Sequence, residues 1–133
     1  MKQRARGLYS TTSEGQSAYT LFAKGREFLD HGHPHQAAMY LSRARLMEPE
    51  KASIREALAR ALYMSGRMAW ARREFTKTVQ IDPVNDYAHF GLALACERTG
   101  QRSRAIAHIK LANAMRPGVV HYERALARLT LAG

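Results

Sequence analysis

"ASIREALARALYMSG", residues 52–66, runs directly into "RMAWARREFTKTVQIDP", residues 67–83. In the first stretch Ile54, Leu58, Ala61 and Leu62 recur at helical spacing. Gly66 then supplies a stop, because glycine takes a left-handed backbone without a β-carbon penalty. In the second stretch Met68, Ala71, Phe75 and Val79 recur in the same way. Pro83 ends it by pushing the residue before it out of helical geometry. The reading is two helices joined by a tight turn, with the small residues Ala59 and Ala71 where the backbones approach.

The same punctuation recurs on both sides. Gly32, Gly66 and Gly100 are 34 residues apart, as are Pro49, Pro83 and Pro117, and Ala37, Ala71 and Ala105. Further columns keep that stride: Gly25/Ala59/Ala93, Phe28/Leu62/Cys96, Leu41/Phe75/Ile109 and Ala44/Thr78/Ala112. One stride shared by independent columns marks a repeated two-helix unit, here residues 18–51, 52–85 and 86–119. "VVHYERALARLTLAG", residues 119–133, restarts the first-helix pattern through Leu126 and Ala127 but has no second helix. It is read as a capping helix over about residues 120–131, with Leu126 and Leu129 covering the third unit. Residues 16–133 are thus expected to form one all-α domain. Residues 1–15, basic and Ser/Thr/Gly-rich with few apolar side chains, are expected to be a disordered tail.

The pattern resembles the tetratricopeptide repeat family. Leu21, Gly25, Phe28, Ala37, Leu41, Ala44 and Pro49 match the family motif in the first unit. Leu58, Ala59, Leu62, Ala71, Phe75 and Pro83 match in the second, and Leu92, Ala93, Ala105, Ile109, Ala112 and Pro117 in the third. Lys24, Arg55, Thr78 and His89 depart from it. The resemblance implies an α-solenoid of three helix-turn-helix repeats. Its first helices would line a concave groove and its second helices would form the convex back.

Composition narrows the function classes. The 133 residues carry a formal charge of +10, spread so that each repeat-length segment holds between +1 and +3. Arginine outnumbers lysine 16 to 5, a bias read partly as that of a GC-rich bacterial genome. A single cysteine, Cys96, excludes an internal disulfide and fits a reducing compartment. With no signal-like start and no apolar run long enough to span a bilayer, a soluble cytoplasmic protein is expected, with no membrane partner.

"HGHPH", residues 31–35, places histidines on alternate positions, a spacing that raises the question of metal. It aligns with "SGRMA" (65–69) and "TGQRS" (99–103), the turns of the other units, which contain no histidine. It is therefore read as a turn, with Pro34 opening the next helix, and neither metal nor cofactor is expected. Cys96 shares a column with Phe28 and Leu62 and is read as a small buried residue. No nucleophile–base pair, phosphate loop or dinucleotide fingerprint is present, so no enzymatic activity is expected.

Carried onto this chain, the family's concave surface takes Tyr19, Phe22, Arg26 and Leu29 from the first unit. Glu56, Arg60 and Tyr63 follow from the second, and Tyr87, Phe90, Leu94 and Arg98, with Glu97, from the third. Arg124 and Arg128 extend it from the last helix. Aromatic residues interleaved with arginines suit a protein or peptide carrying apolar and acidic groups. The family's clamp for the carboxylate terminus of heat-shock chaperones falls on Phe22, Arg26, Ala57, Tyr87 and Gly91, of which only Arg26 is charged. A co-chaperone of that type is not expected.

The leading reading is an adaptor or scaffold that binds a peptide or partner subunit in the groove. Two alternatives stay open. A nucleic-acid- or ribosome-associated protein would use a basic convex surface that includes Arg43, Arg45, Arg67, Arg72, Arg73, Lys77, Arg102, Arg104 and Lys110. A structural subunit of a larger assembly would use the ends of the array.

Overall fold

The structure, a computed structural model, describes residues 17–131; the expected tail over residues 1–15 lies outside them. Among the described residues there are seven helices and no strand. They are α1 (Ala18–Asp30), α2 (Pro34–Met47), α3 (Ala52–Met64), α4 (Met68–Ile81), α5 (Asp86–Arg98), α6 (Arg102–Met115) and α7 (Val120–Leu131). None of them is long and apolar enough to cross a membrane.

The turns repeat in backbone detail. Gly32, Gly66 and Gly100 have φ of 78°, 84° and 77°, the left-handed region that the stop required. The next residue donates its N–H across the turn in each case: His33 to Phe28, Arg67 to Leu62 and Gln101 to Cys96, all at 2.8 Å. These six-to-one bonds close the helix ends as Schellman motifs. Before each proline, Glu48, Asp82 and Arg116 leave helical geometry, with ψ of 77°, 81° and 84°.

The helices pack as hairpins α1–α2, α3–α4 and α5–α6, with α2 against α3, α4 against α5, and α7 on α6. One continuous core runs from Leu29 to Leu129 through Leu41, Leu58, Phe75, Leu92 and Ile109. Close approach demands small residues where large ones point across. A β-carbon at Gly25 would fall inside the Leu41 side chain, and one at Gly91 inside the Phe75 ring. The Gly25 contact follows its column; Gly91 belongs to a further small-residue column, Ala23/Ala57/Gly91/Ala125, that the sequence reading did not single out.

The departures from the motif also have partners. Arg55 reaches the buried Glu74, and Thr78 returns its hydroxyl to the Glu74 carbonyl at 2.7 Å. His89 meets His108, while Lys24 stays exposed beside Glu27 at 3.7 Å. On α7 the buried residues are Tyr122, Ala125 and Leu129; Leu126 is half-buried and Ala127 exposed. The sequence reading missed Tyr122, whose counterparts at the same stride are Thr20, Ile54 and Ala88, none of them aromatic.

Candidate functional site

The candidate groove residues separate into two groups. The first surrounds a hollow of about 150 Å³ between α1 and α3, lined by Phe22, Arg26, Ser53, Glu56, Ala57 and Arg60. Its floor is set by Phe22, half-buried against the core, and Ala57, which is buried. The Arg26 guanidinium lies over the Phe22 ring at 5.5 Å, a cation–π contact that leaves its N–H groups available. Asn85 caps α5 by accepting from the Ala88 N–H at 2.9 Å and donates through Nδ2 to Glu56 at 2.7 Å. That bond holds Glu56 to the entry of the next repeat. Arg60 makes no hydrogen bond or ion pair among the described residues. It lies near the Tyr87 hydroxyl, whose pKa burial raises, with Arg60 opposing that and Glu56 reinforcing it.

The second group is less open than the sequence suggested. Phe90 is covered by Tyr122 of α7, ring centroids 4.9 Å apart, and lies 6.2 Å from the Tyr87 ring. Tyr122 donates its hydroxyl to Asp86 at 2.6 Å, and Arg116 pairs with the same carboxylate at 3.2 Å. Burial and that Asp86 contact raise the Tyr122 pKa well above the ordinary tyrosine value. Tyr63, Tyr87, Phe90 and Leu94 are all half-buried against the core.

Several candidate positions need correction. Leu29, placed in the groove by its spacing, is 3% exposed because it turns into the core between α1 and α2. Arg128 is bound by Glu97, with Nη2 2.5 Å and Nε 3.3 Å from the carboxylate, so its charge is met within the chain. That hydrogen bond chiefly raises its pKa. Arg98 and Arg124 are exposed and make no ion pair among the described residues. Tyr19 is 77% exposed and lines the hollows beside Phe22.

On the opposite side Arg45 is not a free convex charge. It reaches the Glu74 carboxylate at 2.7 Å, and Arg55 reaches its other oxygen at 2.9 Å. Glu74 is 4% exposed, and two guanidiniums from α2 and α3 neutralise it. Lys77 likewise sits 3.5 Å from Glu50. His31 binds the Glu27 carbonyl at 2.8 Å, and the His33 ring meets Phe28 edge-on, so both serve the turn. Among the described residues no group of three His, Cys, Asp or Glu side chains is arranged to hold a metal ion. Cys96 is fully buried; burial raises its pKa against the opposing pull of Arg104 and Arg72. A protonated buried thiol is a poor nucleophile.

Residues 22–86 match the family model described as tetratricopeptide repeat. Over those residues the chain belongs to the tetratricopeptide repeat family. Its fold is similar to a crystal structure of MamA, at a TM-score of 0.86 and 18% identity, covering 93% of this chain and 72% of that one. It is also similar to the first repeat domain of Spaghetti (RPAP3) bound to the HSP90 peptide SRMEEVD, at 0.83 and 16% identity, covering 89% and 94%. A third likeness is to the Yersinia enterocolitica type III secretion chaperone SycD in complex with a YopD peptide, at 0.77 and 12% identity, covering 86% and 92%. No curated protein matches the sequence. At these identities the tetratricopeptide repeat protein shares a fold with the three structures.

Proposed function

We propose that this tetratricopeptide repeat protein is a peptide-binding adaptor, built as three repeats and a capping helix within residues 16–133. Its working surface is the concave face of α1, α3, α5 and α7. The hollow between α1 and α3 carries the proposal, because Arg26 and Arg60 border its apolar floor without an ion pair of their own. An acidic group bound there would complete charge-assisted hydrogen bonds sheltered by Phe22 and Ala57. Tyr19, Tyr63, Tyr87, Phe90 and Leu94 would supply apolar contact around it, with Arg98 and Arg124 at the rim. Arg128 contributes less, since Glu97 already holds it.

Two of the similar structures contain a bound peptide, which supports a peptide as the ligand class. The heat-shock carboxylate clamp is not the mode we infer: Phe22, Ala57 and Gly91 are apolar where that mode needs polar groups. A random peptide library panned on the immobilised protein should enrich sequences that combine carboxylates with large apolar residues. Arg60→Glu should lose those clones while retaining its helical circular dichroism. Clones held equally well by Arg60→Glu would place the ligand elsewhere and sink the groove reading.

A further inference from the structure

Charge is divided between the two sides of the array. The front helices α1, α3, α5 and α7 carry seven Lys and Arg residues and six carboxylates. The back helices α2, α4 and α6 carry eight Lys and Arg residues and one carboxylate, the buried Glu74. A genomic preference for arginine adds cations to both sides. It does not remove carboxylates from one of them.

The back is uneven in chemistry as well as charge. Trp70 on α4 is 54% exposed, and the Arg73 guanidinium lies over its ring at 4.7 Å from the centroid. Arg67, exposed, immediately precedes the same helix, three residues before Trp70. Arg72 of α4 and Arg104 of α6 both act electrostatically on Cys96 of α5, so cations from two neighbouring repeats lie around one joint of the array. Arg104 is held by the neutral Gln101 side chain at 2.6 Å and keeps its full charge. Trp70 is the one large apolar side chain exposed on α4 among the described residues.

We propose that the back of the array, centred on Trp70, Arg67, Arg72, Arg73 and Arg104, binds single-stranded nucleic acid. Phosphates meet the four arginines, and an unpaired base stacks on the indole, the pairing that single-strand surfaces use without reading sequence. A membrane-surface helix would instead bury several apolar residues around the tryptophan, which α4 does not expose. This surface is separate from the α1–α3 hollow, so either can fail without the other.

Trp70 is the chain's one tryptophan, so its fluorescence reports stacking directly. A mixed-sequence single-stranded oligodeoxynucleotide should quench it at low salt. With four phosphate contacts, log affinity should fall with log salt at a slope of about −3. In anisotropy titrations with the fluorescein-labelled oligonucleotide, Trp70→Ala should weaken binding about 10-fold. Trp70→Phe should recover most of that loss, Arg72→Glu with Arg73→Glu should abolish binding, and Arg60→Glu should leave it unchanged. Circular dichroism of each variant checks that the fold persists. The proposal is overturned by unquenched fluorescence at low salt, or by equal affinity of the wild type and Trp70→Ala. A duplex of the same sequence that binds as tightly would also overturn it, as would a blue shift produced only by phosphatidylglycerol vesicles.

Discussion

His89 and His108 face each other across α5 and α6 with their Nδ1 atoms 2.9 Å apart, at the positions where Arg55 and Glu74 pair one repeat earlier. The substitution preserves the geometry and removes the charge. Arg55 donates through Nε to the Pro49 carbonyl at 2.9 Å, and His89 Nε2 lies 2.8 Å from the corresponding Pro83 carbonyl. A carbonyl only accepts, so His89 carries its proton on Nε2 and accepts at Nδ1, while His108 donates from Nδ1. In the first unit the same positions hold Leu21 and Tyr40. Three chemistries thus occupy one joint of the array.

That joint should make stability depend on pH. Burial, followed by His89 and Arg104, lowers the His108 pKa below its ordinary value of 6.5. As pH falls the unfolded chain therefore binds this proton first, so the contribution is complete above about pH 6.5 and is lost below it. The urea midpoint should drop between about pH 7.5 and pH 5.5. His108→Gln should flatten that change, and an unaltered pH profile in the variant would exclude His108 as its source.

Glu74 should be among the most sensitive polar positions. Glu74→Ala leaves Arg45 and the mostly buried Arg55 without their shared carboxylate, a loss of about 3 kcal/mol for a largely buried pair. Arg55→Leu combined with Glu74→Tyr, which copies the first unit, should cost less than Glu74→Ala alone. Urea denaturation of the single and double variants measures the difference.

Gly91→Ala should destabilise by about 1–3 kcal/mol, because the new methyl group collides with a Phe75 ring that is 1% exposed. Phe75→Leu opens space at the same crossing and should recover part of the loss. If Gly91→Ala melts at the wild-type temperature, the α4–α5 crossing is looser than described.

The last helix should act as a latch through Tyr122. Tyr122→Phe removes the bond to Asp86 and should cost about 1–2 kcal/mol, seen as a lower melting temperature. Truncation after Pro117 should do far more. It exposes the Phe90 face and the core beside Ile109, where each fully buried large side chain is worth about 1.5–3 kcal/mol. A monodisperse fragment as stable as the whole chain would show that α7 is dispensable.

Phe90 and Arg60 should part company on mutation. Phe90 packs against Tyr122 and the core, so Phe90→Ala should lower stability by about 2 kcal/mol, less than for a fully buried ring. Arg60→Glu should leave the melting temperature within a few degrees, since it breaks no ion pair among the described residues. Thermal melts of the two variants side by side test the contrast.

The backbone plan was legible in the sequence because its signals are local. A glycine that must take positive φ, a proline that ends helical geometry and small residues at a 34-residue stride act within a turn or a hairpin. They mark the helices and turns without reference to distant chain. The histidine-rich turn was readable for the same reason, by alignment with turns that close without histidine. What each charge and aromatic ring does depended on the superhelical stacking. Glu74 meets Arg45 from 29 residues away and Arg55 from 19, and Arg128 meets Glu97 across 31. Phe90 is covered by α7, which the whole of α6 separates from it in the chain. Helical spacing tells which side of its own helix a residue occupies. Whether that side meets solvent, a partner charge or another ring is decided only when non-adjacent helices come into contact.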